Sequence, residues 1–500
     1  MQERGALGVF SAGLALCVVA YVVLAIGSVP TLVDDAWISA RYALLASTGE
    51  GLAYNTGDPP IEGYTNLGWT LLLILPHRFG WPLADTMAWG GFGLGLGGLF
   101  TAFALAAALA RRWHPGLLVA PMVLALDPHY AVACSNGLET ALALFGLPAA
   151  TTGWLIARGH WRWLAGAAVG ATALVRPEAA ALVLALSVSA VARERSRAAL
   201  PLVLPAVGSL VGVTVWRWVT YGALVPNTFA AKANSRVVNQ ISNNLSNYFA
   251  PEPAYWAGFL TIAVGSFVLA RQVQGRWAVG VAAAAIIGSA ISVELWMPGG
   301  RLLLPAASLC IALLASVTDR SDAARWLAGM VIAGQLLLLV SPVRDRVYRY
   351  DQNHSALPGN GAERAARHLA EHIPAGAWVA IRDAGVFAYH LGPKVRVGEL
   401  HGRALTRPHP GGAATDLSFL PRNPAVVVTT VARIEASDLR YTNDRAVFEQ
   451  LTRRYRYLGR VHQHFHRFYD VYVRADMDVP PFPEGLPVNF KGPQPPFPAL

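Results

Sequence analysis

Eleven apolar runs of spanning or near-spanning length follow one another through the first two thirds of this chain. They lie at about 6–28, 84–110, 116–131, 138–157, 162–175, 178–193, 199–219, 254–271, 276–296, 301–317 and 323–341. A helix needs about 20 mostly apolar residues to cross the hydrocarbon core of a bilayer. Only helices and closed barrels satisfy their backbone polar groups there. Nothing else in the sequence restricts the fold as much. Composition agrees, because 14% of the residues are charged, whereas soluble domains carry about 25%. One more apolar stretch, "LGWTLLLILP" at 67–76, is too short to span.

The formal charge of +10 comes from 40 Lys and Arg against 30 Asp and Glu. The basic residues punctuate the apolar runs, in "ARRWHPG", "ARGHWRW", "ARERSR", "ARQVQGR" and "DRSDAAR". Cytoplasmic loops collect Lys and Arg in this way, so the charge speaks for membrane orientation and against nucleic-acid binding. With the basic N-terminus inside, residues 29–66 are outside, while "RRWH" (111–114) and "RGHWRW" (158–163) are inside. That allows one crossing between 66 and 111, which makes 67–80 re-entrant or interfacial. The first run has no convincing small-residue cleavage site and reads as an anchored helix rather than a signal peptide. Cys17, Cys134 and Cys310 show neither metal-ligand spacing nor a disulfide framework, and read as packed thiols. No internal repeat suggests the inverted-repeat plan of secondary transporters.

From about 342 the composition changes. "GAERAARHLAEHIP" is an amphipathic helix closed by Pro374, with Ala366, Leu369 and Ile373 on one face. "AWVAI", "AVVVTT" and "FYDVYV" read as strands. The expected organisation is a membrane domain over 1–341, an extracytoplasmic α/β domain over 342–477 and a Pro-rich extended tail over 478–500. In "HQHFHRF" a strand would place His462, His464 and His466 on one face. An exposed polar face is the simpler reading of these histidines, with a metal site as the alternative.

The eleven-crossing topology sends the polar motifs to one side. "VDDAWISARY" and "IEGYTN" bound the first outer loop, and "SNGLET", "RPE", "YGALVPNTFAAK" and "WMPGGR" follow at later outer turns. Each alone has a structural reading: an Asp is a good helix N-cap, a lone Arg snorkels, and Asn before Thr suits a turn. Together they place acids and bases around one space at the membrane edge, where charge is costly and usually functional.

These motifs resemble the bacterial GT-C glycosyltransferases related to the mycobacterial cell-wall arabinofuranosyltransferases, the terminal β-1,2-arabinofuranosyltransferase family above all. The likeness covers about residues 5–345, with the acidic pair and "EGYTN" as its most specific part. The chain departs from that pattern at "VELWMPGG", where an Asp is expected near Glu294, and at "GELHGRALTRPH". The resemblance implies a polytopic helical enzyme of the bacterial inner membrane that moves arabinofuranose from a polyprenyl phosphate to a cell-envelope glycan. A mannosyl or aminosugar transferase acting on lipid, glycan or protein is the alternative, and a lipid-linked-sugar transporter a weaker one.

The residues themselves suggest the same chemistry. No Walker or Rossmann glycine pattern is present, so no nucleotide cofactor is expected and the donor must already be lipid-linked. Sugar transfer needs a base for the acceptor hydroxyl and positive charge for the departing phosphate. Asp34 is the expected base, with Asp35 orienting the acceptor or holding a divalent cation such as Mg, Mn or Ca. Arg41, Arg176, Lys232 and Arg301 are candidates for the phosphate. Trp37, Tyr64 and Trp296 are candidates to stack on sugar, although aromatic residues also gather at membrane interfaces. Glu62, Asn66, Glu139, Glu178 and Asn227 complete the expected substrate-binding set.

Overall fold

The computed structural model describes residues 2–29, 31–194, 196–228, 241–242, 253–270, 276–292, 300–340, 360–381, 384–399, 424–431, 453–464 and 467–486. Every one of the eleven apolar runs is helical within these residues. Gly8–Ser28, Leu83–Ala110, Arg197–Tyr221 and Asp322–Val340 are long and apolar enough to cross a membrane. A bent pair, Pro115–Ala125 and Pro128–Ser135, turns by 63° at its break. The helices Thr140–Ile156, Tyr255–Val268, Trp277–Ile291 and Leu304–Ala315 are apolar but shorter. Trp161–Val175 and Ala180–Arg193 complete the bundle. All twelve residues of Leu304–Ala315 are buried, which makes it a central strut rather than a lipid-facing helix. Leu67–Phe79 has 13 residues, about 20 Å at 1.5 Å per residue. The left-handed residue Gly80 (φ 67°) ends it.

Small residues let the helices approach closely. A side chain at Gly166 would run into the Leu202 carbonyl of Ser196–Tyr221, the packing that glycine permits in membrane bundles. The three cysteines are buried and free. At the end with the basic loops, Arg276 donates to the carbonyls of Leu109 (3.1 and 2.6 Å) and Ser316 (3.4 Å). Arg320 does the same for Ala110 at 3.3 Å. Both serve as cations at helix C-termini. Trp113, Trp161, Trp163 and Trp326 lie exposed in or beside the same loops.

At the other end the described residues form a mixed five-stranded sheet: β1 (Trp378–Ile381), β2 (Arg396–Glu399), β3 (Val426–Val431), β4 (Tyr455–His464) and β5 (Arg467–Arg474), in the order β2-β1-β3-β5-β4. β1 runs parallel to β2 and β3, while β5 is antiparallel to β3 and β4. Gly361–His372 packs Ala362, Ala365, Ala366 and Leu369 inward, and the Asn360 side chain caps it by accepting from Glu363 N at 2.8 Å. Ile373 follows it into the core. The expected boundary near 342 falls outside the described residues. The sheet does not keep a core to itself. Val379, Ile381, Val397 and Val426 share one apolar cluster with Leu32, Trp37, Tyr42, Leu67 and Met87 from the first loop and its neighbours. The tail begins with Val479, Phe482 and Leu486 buried in that same cluster.

Candidate active site

The Asp34–Ser47 helix opens the site, and its N-cap is Val33, not an aspartate. Both acids therefore sit in the first turn, where the helix dipole favours negative charge. The Val33 amide donates to Asn136 O at 3.1 Å, which ties the turn to the bundle. Gly137 (φ 82°) makes room there, because a side chain would come within 2.7 Å of Leu32.

Successive residues of a helix diverge by about 100°, and the two acids accordingly part company. The Asp34 carboxylate accepts from the amides of Gly385 and Val386, each at 3.0 Å, at the start of a short helix, Val386–His390. Asp35 is half-exposed, with Oδ2 3.9 Å from Nη2 of Arg301. Arg301 Nη1 is buried without a hydrogen-bond partner. Gly300 (φ 54°) precedes it against the ring of Trp256, which leaves no room for a side chain at 300.

Behind this pair lies a buried chain of alternating charge. Glu139 accepts from Arg176 Nη1 at 2.5 Å and from Asn66 Nδ2 at 2.8 Å. Arg176 Nε also donates to Glu178, and Ser39 donates to Asn66 Oδ1 at 3.1 Å. The guanidinium charges of Arg176 and Arg301 both act on the Glu139 carboxylate. A second pair joins Glu62 to Arg217 Nε at 3.0 and 2.8 Å. There burial outweighs the cation, and Glu62 is pushed up. Asn227 N donates to Glu62 O at 3.0 Å, which brings "PNT" to "EGY".

Several expected roles change with this geometry. Arg41 is fully buried and spends all five donors on Tyr54 O, Asn55 Oδ1, Ala388 O, Gly392 O and Val395 O. It holds protein carbonyls and has no donor left for a phosphate. Tyr64 is buried, with its hydroxyl 3.1 Å from that of Tyr221 and its ring edge-on to Tyr42. Trp37 is buried against Tyr389 and His390 at 4.8 and 5.0 Å. Neither ring presents a face to a sugar. Lys232 and Trp296 lie outside the described residues, as does His466. Among the described residues no three His, Cys, Asp or Glu side chains are grouped to hold a metal ion.

Over 97% of its length the chain superposes on 99% of ArnT from Cupriavidus metallidurans bound to undecaprenyl phosphate, with a TM-score of 0.55 and 15% identity. The apo state of the same protein matches at a TM-score of 0.51 and 15% identity, covering 93% of this chain and 98% of that one. The fold is that of ArnT, the GT-C type. No protein-family profile matches the sequence, and no curated protein does. On this fold two polar groups escape a reading by motifs. Arg217 sits inside an apolar run, where an isolated Arg is itself a signal. Asp127, at the break of the bent helix pair, accepts from His129 N at 2.8 Å and Tyr255 Oη at 3.2 Å.

Proposed function

We propose that this chain is a membrane glycosyltransferase that takes a sugar from a polyprenyl-phosphate donor. The observation that carries the reading is the full-length likeness to a structure holding undecaprenyl phosphate, together with an open carboxylate that this chain sets against a guanidinium with an unused donor. Asp35 takes the proton of the acceptor hydroxyl as that oxygen bonds to the anomeric carbon. The bond from that carbon to the phosphate oxygen breaks, and Arg301 faces the charge that develops on the departing polyprenyl phosphate. Asp35 replaces Asp34 as the base because both oxygens of Asp34 already accept backbone amides. The Glu139–Arg176–Glu178 chain holds Asn66 and shapes the electrostatic field around Arg301. A divalent cation at Asp35 would take its other ligands from phosphate and water, since the described residues offer no cage. No step here needs it.

Eleven crossings, with residues 29–66 and the domain after 342 on the extracytoplasmic side of a bacterial inner membrane, fit the basic loops at 111–114 and 158–163. Arabinofuranose, delivered to a cell-envelope glycan, is the sugar the motif resemblance favours; mannose or an aminosugar is the alternative. The test is to incubate the purified protein with a panel of polyprenyl-phosphate sugars and an acceptor extract and to follow release of polyprenyl phosphate. Release with one donor is the expected result. No release with any donor, from a folded protein that binds polyprenyl phosphate, would favour a lipid-linked-sugar transporter and sink this reading.

A further inference from the structure

The Val386–His390 helix is gripped at both ends by side chains of one other helix. At its N-terminus stands the Asp34 carboxylate, 3.0 Å from the amides of both Gly385 and Val386. At its C-terminus and just beyond, Arg41 donates to the carbonyls of Ala388, Gly392 (3.2 Å) and Val395 (2.8 Å). The acid meets the positive end of the short helix and the base its negative end. Asp34 and Arg41 are seven residues apart, about two turns of their own helix, so they share a face about 10.5 Å apart. Gly385 is required for this fit, because a side chain there would collide with the Asp34 carbonyl and carboxylate.

The first loop extends the grip. Asn55 pairs with β2 as a neighbouring strand would, accepting from Val397 N at 2.8 Å and donating to Val397 O at 2.9 Å. Thr56 donates to Pro393 O at 3.1 Å, and Arg396 donates to Asp58. Asp35 is the covalent neighbour of the gripped acid, and Arg301 reaches it from the helix bundle rather than from the sheet.

We propose that residues 384–395 are a positioning element for the transfer reaction. Held between Asp34 and Arg41, the segment fixes the turn that carries Asp35 and so sets the spacing between Asp35 and Arg301. It governs turnover and leaves donor affinity alone. The proposal rests on the reading of Asp35 as the base.

Gly385→Ala is the main test, because it touches neither Asp35 nor Arg301. A misplacement of about 1 Å costs on the order of 10²-fold in rate. The expected result is a kcat reduced by about 10–100-fold with the donor KM within about threefold of wild type. Amide hydrogen exchange should quicken over Asp35–Ala40 and stay unchanged over Leu304–Ala315. Should Gly385→Ala fail to fold, Arg41→Lys, which keeps the charge and loses the fork, decides by the same readouts. Wild-type kcat, or parallel loss of kcat and donor affinity, in the folded variant would overturn the proposal. Asp35→Asn separates the two readings, with an expected loss of about 10²–10⁴-fold in kcat. If Asp35→Asn is inactive and Gly385→Ala is normal, only the positioning proposal fails. If Asp35→Asn turns over normally, the base assignment fails with it.

Discussion

A guanidinium serves a leaving group only when it has donors to spare. Arg41 has none, since five protein acceptors take its five N–H groups. Arg176 divides itself between Glu139 and Glu178. Arg301 keeps Nη1 unpaired and meets Asp35 only at 3.9 Å. The same arithmetic divides the acidic pair, leaving Asp35 open and Asp34 engaged. Adjacent letters in the sequence could not announce that division, because it depends on which way each side chain leaves the helix. Arg301→Ala should therefore lower kcat by about 10²–10³-fold, the scale of one preorganised donor to developing charge. Arg41→Ala should cost stability as well as turnover, since it strands buried carbonyls and frees the 384–395 segment. Single-turnover release of polyprenyl phosphate from folded Arg301→Ala measures the first effect. A normal rate there would remove Arg301 from the site.

Among the elements, the contact between Asp34–Ser47 and Val386–His390 also carries a titratable group. The His390 ring lies 5.0 Å from Trp37 and 4.9 Å from Tyr389, with Nε2 3.6 Å from Glu363. The His77 ring also neighbours Tyr389, at 5.8 Å. Burial presses the His390 pKa down to about 4, against the pull of Glu363 and with the help of Arg367. The folded value thus lies below the ordinary 6.5, so the unfolded chain binds the proton more readily. The stability His390 contributes is complete above pH 6.5 and is lost as pH falls toward 4. By pH 5 the loss should reach about 1–2 kcal/mol. Urea midpoints at pH 7 and pH 5 measure it, and His390→Gln should flatten the difference; an unchanged slope would refute the assignment. Elements of this kind were unequally legible. The long helices, the apolar runs of β1 and β3 and the alternation of β5 were readable locally, as was the helix closed by Pro374. β2, only four residues long as "RVGE", has no such pattern. The cap that Asp34 provides lies 351 residues from its own position, beyond any local signal.

For the whole molecule, the chain order of the apolar runs was enough to indicate a polytopic bundle. The shared core of loop and sheet was not, because it is built from two regions that are each unremarkable alone. The topology yields a direct experiment, helped by the burial of all three native cysteines. Glu50→Cys and Asp476→Cys should react with an impermeant thiol reagent in intact cells. Arg158→Cys should react only after lysis. Protection of either of the first two, or labelling of the third before lysis, would break the eleven-crossing arrangement. The apolar cluster that joins Leu32, Trp37 and Tyr42 to Val397 and Val426 also imposes a timetable. Ribosomes add about 5–20 residues per second, so the loop at Asp34 precedes its partner at Gly385 by roughly 20–70 s. Throughout that interval the nascent chain holds its first loop without the surface that will cover it. A ribosome that stalls anywhere in the helical bundle leaves a membrane-inserted product whose Asp34 carboxylate lacks the two amides that would hold it.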